Sequence, residues 1–172
     1  MRRVVYLSGR IDQLGYAEAI RERQEAAEAL LMVGWDVLDP TRGGVEDPKT
    51  GHFLDGTMTS GQNLDAAIIF RDLDDIRRAD VIMVLTASTP SWGTAMEWSY
   101  AAIALGKPVV AVDPEHKGRQ SPWCRAHCLF FADTIAEAVE WINQFLDRGY
   151  RLDDYRRSNA RRMASAAAES LQ

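Results

Sequence analysis

The sequence predicts an α/β fold: a doubly wound, parallel sheet of about five strands with helices on both faces. Three observations carry that prediction. Short apolar, β-branched runs alternate along the chain with longer segments of helical periodicity, the order that a parallel sheet requires. The run Val81–Leu85 is apolar without interruption, as in a strand covered on both faces. From Asp80 to Val110 the chain reads strand, polar loop, helix, strand, and Glu97 is the one charge in the helical part, Thr94–Leu105. That pattern sets a carboxylate beside a helix start at the end of a buried strand, where open α/β sheets bind ligands.

The elements follow in order. Val4–Ser8 is a first strand, and Ser8-Gly9-Arg10 makes the turn at its end. Gly9 permits close backbone approach; the turn either touches a ligand or is an ordinary strand-to-helix connection with a solvated Arg10. Tyr16–Val33 has helical spacing, with Ala19, Ile20, Ala27, Leu30 and Leu31 inward and Glu18, Arg21, Glu22, Arg23 and Glu25 as a solvated face. Gly34 is the expected stop, and Trp35–Leu38 is the second strand. Thr41–Gly61 holds five glycines and Pro48; it reads as a mobile flap, with His52 and Phe53 either near the ligand or on a bland surface loop.

Asn63 suits an N-cap for a helix over Leu64–Arg78, whose apolar arc is Ile68, Ile69, Leu73, Ile76 and Ala79. Asp72 falls inside that arc, while Asp74, Arg77 and Arg78 fall opposite. An acid on a buried stripe is costly unless it is paired or used. Asp72 is therefore either a structural partner of a cap or an Arg, or a group whose shifted pKa serves proton transfer. Asp80–Leu85 is the third strand, Asp80 itself being structural. The helix over Thr94–Leu105 is apolar nearly all round, so its second cover is expected to be another subunit. Val109–Val112 is the fourth strand. A polar loop (Asp113–Gln120), a short turn at Ser121-Pro122-Trp123, an edge strand over Leu129–Phe131 and an amphipathic helix over Thr134–Leu146 complete a single domain within 1–150. Residues 151–172 read as a polar helix or tail.

Bulk properties exclude several classes. A net charge of −5 argues against binding a nucleic-acid backbone. Cys124 and Cys128, four apart with His116 and His127 nearby, form neither a disulfide framework nor a zinc spacing and are expected to pack. The first strand starts near Met1 and no apolar run approaches ~20 residues, so we expect no signal peptide, no membrane partner and a cytoplasmic location.

Asp72 and Glu97 thus stand on apolar surfaces beside one strand. Paired carboxylates cleave glycosidic bonds: one attacks or stabilises the anomeric carbon, and the other protonates the leaving group. For an N-glycosidic bond the leaving group is a nucleobase, and neither metal nor cofactor is needed.

At these residues the sequence resembles the nucleoside 2-deoxyribosyltransferase superfamily, over most of residues 4–145. The resemblance rests on Tyr6-Leu7-Ser8-Gly9, on Arg71-Asp72-Leu73 with Ile76 and Ala79-Asp80, on Gly93-Thr94-Ala95-Met96-Glu97 with Tyr100-Ala101, and on Gly106-Lys107-Pro108-Val109. It implies a flavodoxin-like sheet and a homo-oligomer, dimer or tetramer, with shared active sites. It also implies Glu97 as a nucleophile forming a covalent glycosyl-enzyme, Asp72 as proton donor to the base, and Tyr6 as the group that orients the nucleophile. One departure bears on substrate. Many transferases of the family carry an acid six positions before the nucleophile, where this chain has Ser91. The branch hydrolysing nucleoside 5′-monophosphates is similar there, with a Ser that binds phosphate and a second Ser from the neighbouring subunit, for which Ser121 is the candidate. Ser91 with the Gly93 and Thr94 N–H groups suits a phosphate at a helix start, and Arg10 adds charge; Ser8 and Gly9 form the opposite wall. Trp92 and Met96 either line the base or sugar pocket or make core or subunit contacts. The implied partner is a small nucleoside or nucleotide, with water or a second base as acceptor.

Two other readings remain. A phosphoribohydrolase of the lysine-decarboxylase-like type shares a Gly-Thr-x-x-Glu helix start but wants Pro-Gly-Gly before it, which Thr89-Pro90-Ser91-Trp92 does not supply. A non-catalytic nucleotide-sensing module is open to any chain of this fold.

Overall fold

The computed structural model describes residues 3–11, 15–51, 53–54, 64–86 and 91–147. In chain order its elements are β1 (Val4–Gly9), α1 (Tyr16–Met32), β2 (Asp36–Leu38), β3 (Val45–Glu46), β4 (Phe53–Leu54), α2 (Leu64–Arg78), β5 (Val81–Leu85), α3 (Trp92–Ser99) running into a π-helical segment (Tyr100–Ala104), β6 (Val109–Val112), α4 (Lys117–Gln120), α5 (Pro122–His127), β7 (Phe130–Ala132) and α6 (Ile135–Asp147). Five strands form one parallel sheet in the order β2-β1-β5-β6-β7. The chain reverses direction across the sheet between β1 and β5, and ligand sites of doubly wound folds lie at such a switch point.

Side-chain alternation explains both layers. Val5, Leu7, Val81, Met83, Leu85, Val110 and Val112 face one side, under α1 and α6. Tyr6, Ile82, Val84, Val109 and Ala111 face the other, under α2 and α3. Both faces are covered, so β5 and β6 are apolar at every position.

The helix ends obey local chemistry. α1 stops where Gly34 takes φ +88°, with the Gly34 N–H on the Leu31 carbonyl and the Trp35 N–H on the Leu30 carbonyl, a Schellman closure. At the start of α6, Thr134 Oγ1 accepts from the Glu137 N–H at 3.1 Å while Glu137 reaches back to the Asp133 N–H at 2.8 Å.

Several expectations are corrected. Arg23 is not part of a solvated face: it is 2% exposed, on a buried stripe with Ala19, Ala26 and Leu30. Its Nη1 donates to the Arg10 and Ala19 carbonyls, and Nε lies 3.8 Å from Asp39. On α2, Ile76 and Ala79 are buried but Ile69 is 56% exposed. The buried positions are Asp75, Ile76 and Ala79, with Ile68, Asp72 and Leu73 half-buried, so a second acid is turned inward. Asp75 is buried and ion-paired with Arg42 and, at 3.6 Å, with Arg78. Part of the stretch expected to be a mobile flap is an antiparallel ribbon, β3 with β4. Its turn is held by Asp47, which accepts from the Lys49 N–H and Thr50 Oγ1. His52 and Asn63, and the tail from 148 onward, lie outside the described residues. The edge strand is shifted by one residue, to Phe130–Ala132, and the polar loop before it contains α4.

Leu30 is fully buried in the α1–α6 layer while Leu31 beside it is exposed. Leu30→Ala is expected to lower unfolding free energy by about 2–5 kcal/mol through lost burial and a cavity. Leu31→Ala is expected to change it by no more than about 0.5 kcal/mol; urea denaturation of both variants checks the difference.

Candidate active site at the carboxyl edge of the sheet

The site starts from alternation along β1. Tyr6 and Ser8 are two residues apart, so both side chains project to the α2–α3 face. Both are fully buried. A buried hydroxyl needs a partner, and for both it is Glu97 on α3: Tyr6 Oη donates to Oε1 at 2.9 Å and Ser8 Oγ to Oε2 at 2.6 Å. Each carboxylate oxygen is thus held by a different residue of one strand. α3 begins at Trp92 with Ser91 as its N-cap, so Glu97 lies in the second turn and not, as the sequence suggested, in the first. Burial and these two hydrogen bonds, more than the helix terminus, govern its ionisation.

Burial pushes the Glu97 carboxyl up to about 7. The Ser8 and Tyr6 bonds pull down, Asp72 pushes up and Arg23 pulls down. Tyr6 is raised far above the ordinary phenol range, first by burial and then by the Glu97 charge, so it remains a donor. Asp72, on α2, is also raised by burial, against the pull of Arg71. Arg71 grips one oxygen, Oδ1, through Nε and Nη2 at 3.0 Å each, and ties the same Nη2 to the Pro40 carbonyl. Asp72 is therefore both on the buried stripe and paired with an Arg.

The other predicted residues fall in three places. Gly9 is in register with Leu85, and a Cβ there would meet Arg23 Nη2 at 2.9 Å and the Leu85 carbonyl at 3.1 Å; its smallness makes room for a guanidinium. Arg10, Ser91, Thr94 and Ser121 line a cavity of about 350 Å³ on the other side of α3 from Glu97, together with Val84, Leu85, Trp98, Lys117, Trp123, Cys124 and His127. Gly93 sits in the first turn of α3 above that cavity. The Ser91 side chain makes no cap bond, and Thr94 Oγ1 is buried with no partner among the described residues. Ser121 caps α5, accepting from the Cys124 N–H at 3.4 Å. Trp92 and Met96 are 89% and 71% exposed and do not line the cavity.

Sequence reasoning passed over Asp75, Arg23, Arg42 and Trp98. The first two were accessible to periodicity, since each falls on the buried stripe of its helix. No group of three or more His, Cys, Asp or Glu side chains placed to hold a metal occurs among the described residues. Cys128 is buried, with its thiol pushed up to about 12 by burial, and Sγ is bonded to the Phe130 carbonyl; both cysteines are free, as expected. No described helix is long and apolar enough to cross a membrane.

Five parallel strands with helices on both faces define an open-sheet α/β protein, a class whose ligand sites lie at the switch point. The chain belongs to the nucleoside 2-deoxyribosyltransferase family, whose profile matches residues 5–154. Among solved structures it is similar to a conserved protein from Enterococcus faecalis V583 (TM-score 0.57, 16% identity, 84% of this chain and 99% of that one). It is also similar to the Moco carrier protein from Chlamydomonas reinhardtii (0.53, 17%, 86% and 99%) and to the CMP N-glycosidase BcmB from Clostridium botulinum (0.50, 15%, 83% and 99%). At such identities the likeness is one of fold. No curated protein matches the sequence.

The Glu97 carboxyl yields a prediction that needs no substrate. Its folded pKa of about 7 lies above the ordinary 4.5, so the folded state holds the proton more tightly. Wild-type stability therefore declines as pH rises from about 4.5 through about 7. Glu97→Gln removes that decline. Its stability relative to wild type is expected to improve by on the order of 3 kcal/mol between pH 4.5 and pH 8, measured by urea denaturation. A difference that does not change with pH would show that Glu97 is not raised.

Proposed function

We propose that this chain breaks the N-glycosidic bond of a nucleoside 5′-monophosphate or nucleoside and passes the sugar to water or to a second base. The supporting observation is the Glu97 carboxyl, held at both oxygens by Tyr6 and Ser8 and poised near neutrality. Family membership supports glycosyl transfer or cleavage as the class of reaction. Glu97, ionised, attacks C1′; an Oε–C1′ bond forms as C1′–N breaks, and the electron pair of that bond leaves with the base. Asp72, whose pKa burial raises, is the proton donor to the departing base. Its Oδ2 is the free edge, because Arg71 holds Oδ1. Tyr6 orients the nucleophile, and water or a second base then takes C1′ from Glu97 while Asp72 recovers a proton.

Ser91, the first-turn N–H groups of Gly93 and Thr94, Arg10 and Ser121 are proposed to receive the 5′-phosphate. Support comes from one cavity collecting Arg10, Ser91, Thr94 and Ser121 immediately across α3 from Glu97. Trp92, Met96 and Ile103 form an exposed apolar face along α3 and its continuation. We assign that face to a second copy of the chain, and Trp92 and Met96 through it to a site shared between subunits. Trp92→Glu with Met96→Glu is expected to convert the oligomer to monomer by sedimentation velocity.

A second reading, a binding module without turnover, draws support from the Arg71–Asp72 pair, which a purely structural acid would also make, and from the likeness to a carrier protein. Chromatographic measurement of base release across nucleosides and their 5′-monophosphates separates the two. On the first reading, kcat/KM rises with pH through about 7 as Glu97 ionises. Tyr6→Phe and Ser8→Ala each remove a bond to the charged form and move that rise to higher pH. Glu97→Ala is expected to lower kcat by at least about 10³; undiminished release from that variant would sink the mechanism.

A further inference from the structure

Glu97, Tyr6, Ser8 and Asp72 lie on the α2 side of α3; the cavity of about 350 Å³ lies toward α5, and none of those four residues lines it. α3 follows β5 and leads to β6, and α5 lies between β6 and β7. Because the strands are parallel, both helices run back from the carboxyl edge, and their first residues sit at the mouth of the cavity. Ser91, Thr94 and Ser121 are those residues, and Arg10 joins them from the end of β1. One turn further along, roughly 6 Å deeper at 1.5 Å per residue, the lining changes character. Val84, Leu85 and Trp98, all buried, face Cys124 and His127 of α5, and the exposed Trp123 stands beside them. The Trp98 indole N–H donates to the His127 carbonyl at 3.4 Å and closes the bottom.

The cavity is therefore polar at its mouth and apolar below, and its volume falls in the range that buries a drug-sized molecule. A phosphate fills the mouth and leaves the apolar chamber empty. We propose that the substrate is a nucleoside 5′-phosphodiester whose second ester group, planar and apolar, enters the chamber between Trp98 and α5 while the phosphate rests at the mouth. This rests on the proposed reaction at Glu97 and deepens it by naming the substrate class. The molecule straddles the first turn of α3: the sugar reaches Glu97 on the α2 side, and the esterifying group lies in the cavity toward α5. Only C1′–N breaks; both phosphoester bonds survive, and the product is a sugar 5-phosphodiester with the base released. An aromatic ester group suits walls that carry Trp98 and Trp123. Arg10 and Lys117, the latter also paired with Glu115 at 2.8 Å, place positive charge on the lining for the single charge of a phosphodiester.

Cys124 reports directly on the chamber. It is half-buried and lines the cavity, whereas Cys128 is 3% exposed with its thiol pushed up to about 12. Iodoacetamide should therefore alkylate Cys124, and peptide mass mapping reads the rate. The experiment uses the full-length Glu97→Gln protein, in which turnover is blocked. The probes are the 5′-monophosphate and the 5′-(4-nitrophenyl) phosphodiester of one nucleoside, repeated for each common base. The diester is expected to slow Cys124 alkylation at least tenfold at saturation, and the monophosphate less than twofold. In the active protein, Cys124→Phe, which fills the chamber, is expected to cut the ratio of kcat/KM for diester over monophosphate at least tenfold. Equal protection by both compounds, or none by the diester, overturns the inference. Protection by the diester without base release from any compound overturns the reaction at Glu97 and upholds the chamber. Base release from monophosphates with no protection by the diester does the reverse.

Discussion

The carboxyl group of Glu97 ties the molecule together at its carboxyl edge. It is the meeting point of a strand and a helix that are about ninety residues apart in sequence, and it satisfies two hydroxyls that have no access to water. Removing either side strands the other, because a buried polar group without a partner costs more than the bond itself contributes. The packing beneath serves the same contact: Trp98, Ala101 and Ala102 seat α3 on Ile82, Val84, Val109 and Ala111. A shift of α3 along the sheet would break both hydrogen bonds at once. The core here is thus a positioning device, and the raised pKa of Glu97 follows from the same burial.

A second set of charges anchors α2. Arg42 on Asp75, and Arg71 on both Asp72 and the Pro40 carbonyl, fasten the segment after β2 onto the helix that presents Asp72. Asp39 adds the Thr41 N–H and hydroxyl at 2.8 Å each. These are partly buried ion pairs in which losing one partner leaves an uncompensated charge. Asp72 is oriented by Arg71 and Glu97 by Tyr6 and Ser8, so two acids close enough for the Asp72 charge to raise Glu97 are positioned by separate machinery.

Much of this was legible in the sequence. Uninterrupted apolar runs gave the strands because both faces of a parallel sheet are covered, and the parallel arrangement followed from the alternation with helices. Glu97 and Asp72 were visible as acids where an apolar residue was due. Arg23 and Asp75 carried the same signal, on the stripes Ala19–Arg23–Ala26–Leu30 and Ile68–Asp72–Asp75–Ile76–Ala79, but Arg23 was read with its charged neighbours as a solvent face and Asp75 went unassigned. The ribbon of β3 and β4 was not legible: two-residue strands are too short to show a period of two, and its order depends on the Asp47 turn and on the Tyr16 N–H meeting the Gly51 carbonyl. The cavity beside α5 was also beyond reach, since it is formed by residues from five separate segments that only the topology brings together.

Gly9 and Arg23 lie on opposite sides of a gap of one methyl group. The guanidinium occupies the space that any larger residue at position 9 would need, and it is held there by the Ala19 carbonyl one helical turn earlier in α1 and by the Arg10 carbonyl in the turn just after β1. The two positions therefore form one inherited unit. In any relative that preserves this turn, a side chain at the first position should be accompanied by a shorter residue at the second, and a library that randomises either one alone would sample mostly molecules with a displaced β1 edge.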